Sequence, residues 1–170
     1  MEVKARHFLS SKNIKRLTEE IIRRYPHLSG KIELKNLRVE MVETTSKITV
    51  YSVNDRVDWI MREDLLLPSI GLLNRGLDFP FIVVDMGAVP FVAKGADVML
   101  PGIVRHSDNI AKGVILKIVD ELHGKAIAVG ESLIDEPGFR AGGKGRSVKI
   151  LHHVGDRIWA LISNLGFNIN

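Results

Sequence analysis

Between Val84 and Ile103 the chain is punctuated so closely that few folds can carry it. Pro90 suits the first turn of a helix, where its missing N–H is no loss, and Gly95 suits the left-handed position just past a helix end. A single helical turn is therefore framed on both sides. The following Asp97-Val98-Met99-Leu100 is too short for anything but a strand, and Pro101-Gly102 stands in the order of a type II turn. This stretch holds no acid, base and nucleophile constellation. It reads as a surface for holding something rather than for reacting with it.

The surrounding sequence has a matching texture. Phe81-Ile82-Val83-Val84 leads into the stretch, residues 113–119 are strongly β-branched, and residues 126–129 follow a His123-Gly124-Lys125 turn. Residues 148–152 and 157–161 read as two more strands flanking Val154-Gly155-Asp156, with Trp159 in the second and Trp59 in an earlier one. Short strands separated by glycine turns predict a small barrel, which removes exposed strand edges by closing on itself.

Upstream the pattern is different. Ser10-Ser11 precedes Ile14, Leu17, Ile21, Ile22 and Tyr25, which fall on one helix face, and Pro26 and Gly30 end the helix. Arg23 and Arg24 in its last turn suit the negative end of the helix dipole. Residues 31–43 alternate with a phase slip at Lys35-Asn36, residues 46–53 alternate again, Asn54-Asp55 is a turn, and residues 57–61 form a further strand. This antiparallel meander needs a cover, which the preceding helix supplies. Residues 65–73 are helical in pattern, with Pro68 early and Asn74-Arg75-Gly76 as a stop. The expected fold class is α+β: an N-terminal α/β meander domain over residues 1–78, then a small mixed β pseudobarrel over residues 79–165.

Composition narrows the function classes. A chain of 170 residues with 45% hydrophobic and 26% charged residues can bury a proper core as one large domain or two small ones. It has no cysteine, which excludes disulfides and thiolate metal sites. The N-terminus has no apolar h-region and no run of residues is long and apolar enough to span a bilayer, so neither secretion nor membrane insertion is expected, and a cytoplasmic location is. The net charge of +4 raises the prospect of a polyanionic partner. Over residues 138–157, Arg140, Lys144, Arg146, Lys149 and Arg157 face the single acid Asp156, with Gly142, Gly143 and Gly145 interspersed. Such a loop fits close approach to phosphates, and equally a flexible solvated hairpin loop.

Two separated segments resemble a known family. Gly95-Ala96-Asp97-Val98-Met99-Leu100-Pro101-Gly102-Ile103 is similar to the signature of the PUA domain, an RNA-binding pseudobarrel named after pseudouridine synthases and archaeosine transglycosylases. Lys144-Gly145-Arg146-Ser147-Val148, followed by His152-His153-Val154-Gly155-Asp156-Arg157-Ile158-Trp159, resembles that domain's last hairpin. Tyr25-Pro26, the meander, Leu65-Leu66-Leu67-Pro68-Ser69-Ile70-Gly71-Leu72-Leu73 and the segment from Val84 to Val92 extend the resemblance to the malignant T-cell amplified sequence family and its archaeal counterparts. That family implies a pre-PUA domain joined to a PUA domain, and a role in translation through RNA on or near the small ribosomal subunit. Its eukaryotic members act with the density-regulated protein; without cysteine, no thiolate-dependent docking carries over.

The resemblance assigns RNA contact to Lys94, Gly95, Ala96, Met99, Pro101 and Gly102. Small residues at 95 and 96 admit a sugar-phosphate backbone and Lys94 offers a charge, although Lys94 also fits a helix-dipole partner and Met99 also fits a core residue. Lys144 and Arg146 would continue the phosphate path across the opposite lip, and Arg105 and Lys112 are weaker candidates. Enzyme readings fail on the residues. His152 and His153 are adjacent in a strand and point to opposite faces, so they cannot share a zinc. Gly142-Gly143-Lys144-Gly145-Arg146-Ser147 lacks P-loop order, and Asp135-Glu136 beside Pro137-Gly138 reads as a turn. The expectation is a non-catalytic RNA-binding protein without cofactor or metal, partnered by tRNA or ribosomal RNA, with the small ribosomal subunit or a translation factor as further partners. An accessory subunit of an RNA-modifying enzyme and a protein-interaction module are the alternatives.

Overall fold

The computed structural model describes residues 1–168. It divides into two compact units, one of Met1–Leu72 together with residues 161–168, the other Leu73–Ala160.

The first unit is built on a five-stranded antiparallel sheet in the order β1 (Val3–Phe8), β2 (Val39–Thr44), β3 (Ile48–Val53), β4 (Arg56–Arg62), β5 (Leu65–Pro68). The β3–β4 hairpin turns through Asn54 and Asp55 at φ 49° and 64°, a primed turn that these two side chains tolerate well. Helix α1 (Ser11–Arg24) starts where the Ser10 hydroxyl accepts the Asn13 N–H, and buries Ile14, Leu17 and Ile21. At its end Tyr25 stacks on Trp59, centroids 5.9 Å apart, and donates its hydroxyl to the Leu66 carbonyl. Arg23 and Arg24 both clasp Glu20, whose carboxyl is held down at about 2 by those hydrogen bonds. Their role is side-chain pairing as well as dipole matching.

Three features of this unit depart from the sequence reading. Strand β1 was hidden by its charges, since Lys4, Arg6 and His7 interrupt any apolar alternation. Residues 31–38 form turns and irregular chain rather than a strand, with Asn36 at φ 65° where the alternation slips. Residues 65–73 are not one helix: Leu65–Pro68 pairs with β4, and only α2 (Ile70–Asn74) is helical. Ser69 makes the switch by donating to the Val57 carbonyl at 2.6 Å and accepting the Leu72 N–H at 3.0 Å.

The second unit is a six-stranded mixed sheet, with strands β6 (Phe81–Val84), β7 (Val98–Met99), β8 (Ile103–His106), β9 (Ile115–Asp120), β10 (Ala126–Ser132) and β11 (Arg146–His153). Their order is β7-β11-β10-β9-β6-β8, with only β6 and β9 parallel. The two edge strands are consecutive in the chain, joined by a three-residue 3-10 turn, Leu100–Gly102. Gly102 then accepts the Asp85 N–H at 2.9 Å, so the sheet curls into a nearly closed pseudobarrel. Ile82, Val84, Val98, Leu116, Ile118, Ala128 and Val148 fill it. Gly130 is required inside, because a Cβ there would lie 2.6 Å from Val148 Cγ1 and 2.7 Å from the Lys149 carbonyl.

Here too the structure corrects the reading. Pro101-Gly102 is not a type II turn, since Gly102 lacks the positive φ that turn needs. Its small size matters instead because a Cβ would come within 3.0 Å of Ala88 Cβ. Residues 157–161 are helical, in α5 (Arg157–Asn164), so they do not pair with residues 148–152 as a second strand, and Trp159 is a half-buried helix residue, unlike the strand residue Trp59. Asp156 causes this by accepting the Trp159 N–H at 2.8 Å, an N-cap that precedes the helical spacing of Ile158, Leu161 and Ile162. Asp135-Glu136 opens a short helix, α4 (Glu136–Ala141), rather than a simple turn. Their carboxylates accept the Lys112 and Asn109 N–H groups at 2.8 and 2.7 Å, a structural use. No helix among the described residues is long and apolar enough to cross a membrane.

Candidate nucleic-acid interface

The site is assembled where β6 leaves the barrel. Asp85 follows Val84, and its Oδ1 accepts the Ala88 N–H at 2.8 Å, which bends the chain into the single turn α3 (Val89–Val92). One helical turn can bury only one side. Val92 takes that side and Phe91 is left 66% exposed. Lys94 follows in solvent, without an ion-pair partner among the described residues. Gly95 then adopts φ 83° and returns its N–H to the Val92 carbonyl at 2.9 Å.

Between α3 and the β7–β8 corner lies an open groove of about 350 Å³. Phe91, Met99, Pro101 and Gly102 line it, with Ala88 and Asp97. Met99 is 51% exposed at the groove, whereas Val98, which also borders it, is buried in the barrel core. Lys94, Gly95, Ala96, Lys144 and Arg146 do not line the groove. Gly95 is small for an internal reason: a Cβ there would sit 2.8 Å from His153 Nε2.

The glycine loop reaches the same corner. The Gly145 carbonyl accepts the Leu100 N–H at 2.8 Å, which ties the loop carrying Lys144 to the chain just before Pro101. Gly142, Gly143 and Gly145 have φ of 66°, 115° and 130°, values that side-chain-bearing residues rarely adopt. Arg146 lies opposite Met99 in the β7–β11 register, and its guanidinium is 3.1 Å from Asp97. The other Asp97 oxygen accepts the Ile150 N–H at 2.9 Å. Asp97 therefore offsets much of the Arg146 charge, while Lys144 is exposed and unpaired among the described residues.

Arg105 and Lys112 are not gathered here. Arg105 lies on β8 with its guanidinium 5.5 Å from the Phe81 ring centroid, and lines no part of the groove. The parallel β6–β9 register puts Val84 beside Asp120, so Lys112, which precedes β9, belongs to the other end of that strand. Phe91 and Asp97 were missed from the sequence. An aromatic next to an aliphatic on a one-turn helix was the available signal for Phe91.

His152 is buried at 1% exposure, with Nδ1 2.8 Å from Asp156. Burial pushes the Asp156 carboxyl up, but His152 and the N–H groups of Trp159 and His153 pull it down to about 2. This corner is scaffold. Among the described residues no three His, Asp or Glu side chains cluster as a metal site would require.

A nearly closed six-stranded pseudobarrel with a one-turn helix and a Pro-Gly corner defines a PUA-type unit, and the family comparison agrees. Residues 80–154 match the PUA domain, and residues 5–76 match a domain of unknown function (DUF1947). An uncharacterized protein of Methanocaldococcus jannaschii is 36% identical over 94% of this chain and 98% of its own length. Translation machinery-associated protein 20 of Saccharomyces cerevisiae is 29% identical over 93% of each chain. The malignant T-cell-amplified sequence 1 homolog of Drosophila melanogaster is 26% identical over 89% of this chain and 88% of its own. The crystal structure of a hypothetical protein from Pyrococcus horikoshii superposes with a TM-score of 0.78 and 30% identity, covering 93% of this chain and 99% of that one. The chain belongs to the PUA-domain family that includes these malignant T-cell-amplified sequence and translation machinery-associated proteins.

Proposed function

We propose that the protein is a non-catalytic RNA-binding factor of translation that contacts tRNA or small-subunit ribosomal RNA through its PUA groove, in the cytoplasm. The PUA domain, residues 79–165, grips the RNA, and the pre-PUA domain, residues 1–78, sets where it docks. The observation that carries this is the groove itself, lined by an exposed aromatic and thioether, Phe91 and Met99, with two exposed lysines outside its lining that have no ion-pair partner among the described residues: Lys94, three residues after Phe91, and Lys144, next to the Gly145 that holds Leu100. Unstacked bases rest on aromatic faces while cations follow the backbone, and that pairing of chemistries suits single-stranded or terminal RNA. The relatives named for the translation machinery support the same direction.

The test is a salt titration of RNA binding with wild-type protein and with Lys94, Lys144 and Arg146 changed to Ala. Neutralising phosphate contacts flattens the log–log slope by about 0.7 per contact on a single strand. An unchanged slope overturns the groove as the RNA site. Co-purification separates the class of role: ribosomal subunits in the pull-down support a translation factor, and an RNA-modifying enzyme in their place overturns it in favour of an accessory subunit.

A further inference from the structure

The first unit has a feature that the RNA reading leaves unused. Strand β1 is the edge of its sheet and pairs only with β2. Leu9 donates to the Val39 carbonyl at 2.9 Å, and the antiparallel register continues through His7↔Met41. Alternation therefore bonds Leu9 and His7 to β2 and turns the N–H and C=O groups of Arg6 and Phe8 outward. Edge strands are commonly guarded by charged side chains projecting over the edge. Here those charges are drawn inward: Lys4 reaches Glu43 at 2.8 Å and Arg6 reaches Glu40 at 2.7 Å, both on β2. Arg6 also donates to the Leu165 carbonyl at 3.4 Å and Arg38 stands 4.5 Å from the Phe8 ring centroid, and apart from half-buried Ala5 every residue of β1 is exposed.

Beside it, between α1 and the sheet, is a cleft of about 290 Å³. Its floor is the cross-strand row His7, Met41 and Tyr51, and α1 contributes Arg16 and Leu17 to its wall. The acids nearby are already engaged, Glu20 by Arg23 and Arg24, Glu40 by Arg6 and Glu43 by Lys4. His7 and Arg16 have no ion-pair partner among the described residues. The cleft is lined by apolar Leu9, Leu17, Met41 and Met61, and by Arg16, His7 and the already engaged Glu20.

We propose that β1 receives an extended acidic segment of a partner protein as a sixth strand, with an acidic side chain of that segment seated between His7 and Arg16. A partner residue opposite His7 would form the close, non-hydrogen-bonded type of pair on that side and share its face, which directs its side chain over the cleft. Peptide rather than nucleic acid is favoured because the outward groups of Arg6 and Phe8 match a backbone ladder, which only another polypeptide carries. A second copy of this chain paired through the same edge is disfavoured because its β1 carries no acidic residue to seat between His7 and Arg16.

The probe is a short synthetic peptide of alternating glutamate and valine, with a lysine-for-glutamate counterpart, titrated into the full chain while amide hydrogen exchange is followed by NMR. The Arg6 and Phe8 amides gain protection with the acidic peptide and not with the basic one, while those of His7 and Leu9, already bonded, change little. Arg16→Glu, at an exposed helix position, weakens peptide binding about tenfold and leaves RNA binding by the groove intact. Phe8→Pro removes an outward donor without touching the β2 ladder, and abolishes the protection at Arg6. If Phe8→Pro does not fold, Arg16→Glu carries the test. Equal binding of both peptides, protection elsewhere than Arg6 and Phe8, competition by an RNA oligonucleotide at the same amides, or protection that rises with protein concentration alone each overturns the proposal.

Discussion

At the start of β11, Gly142, Gly143 and Gly145 carry Lys144 into solvent beside the Pro101-Gly102 corner, and its ammonium has no partner among the described residues. At the end of β11, Asp156 accepts from the His153 and Trp159 backbones and pairs with buried His152. Both corners are polar and both follow glycine-containing turn sequence. One leaves its polar atoms in solvent, and the other directs nearly all of them inward to start a helix and close a strand. A turn becomes a site when its charges are left over after folding, and the residue types alone do not say which it will be.

The contrast can be broken most forcefully at Asp156. Replacing it with Ala leaves His152 buried without its partner and α5 without its cap, at a cost of about 3 kcal/mol, read as a lower Tm. A loss of RNA affinity with an unchanged Tm would erase the distinction between scaffold and site. The same carboxyl sets an acid limb. Its folded value lies below its ordinary 3.8, at about 2, so the stability it contributes is fully present above about 3.8 and is lost as pH falls toward about 2. Acid unfolding of Asp156→Asn should be flatter across that window than that of the wild type.

Phe91→Ala sharpens the other side. It should cost about 1–3 kcal/mol of RNA binding by loss of stacking, while changing stability by no more than about 0.5 kcal/mol because the ring is exposed. Isothermal titration beside thermal unfolding checks both. Gly95 lies between the two behaviours. Gly95→Ala places a methyl against His153 at φ 83° and should lower stability by about 1–2 kcal/mol, measured by denaturant unfolding. The smallest effect separates two neighbouring cations. Lys144→Ala should reduce the salt slope by about 0.7, and Arg146→Ala by clearly less, because Asp97 already holds the Arg146 guanidinium.

Much of the architecture was legible. Helix α1 was readable because Ile14, Leu17 and Ile21 repeat at helical spacing behind a serine cap, and the framed turn α3 because Pro90 and Gly95 are placed by backbone chemistry alone. Strand β1 was illegible because its stability comes from pairing with β2, a contact made some 35 residues away through side chains that look solvent-bound. The 65–73 segment failed for a related reason. Leucine is a good helix former, and only a free edge on β4 makes Leu65–Pro68 a strand.

The groove followed the same division. That Met99, Pro101 and Gly102 share one surface was implied by the resemblance to the PUA signature, while spacing alone showed only a framed helical turn and a Pro-Gly corner. Which cations remained available was legible in neither. Asp97 neutralising Arg146, His153 standing over Gly95, and Lys112 lying at the far end of β9 are long-range outcomes of register, which no local preference encodes. The sequence by itself determined where the chain turns, because φ/ψ limits act residue by residue. The tertiary structure alone decided which charges and aromatic faces the finished fold leaves exposed, because that depends on partners brought together only when the barrel closes.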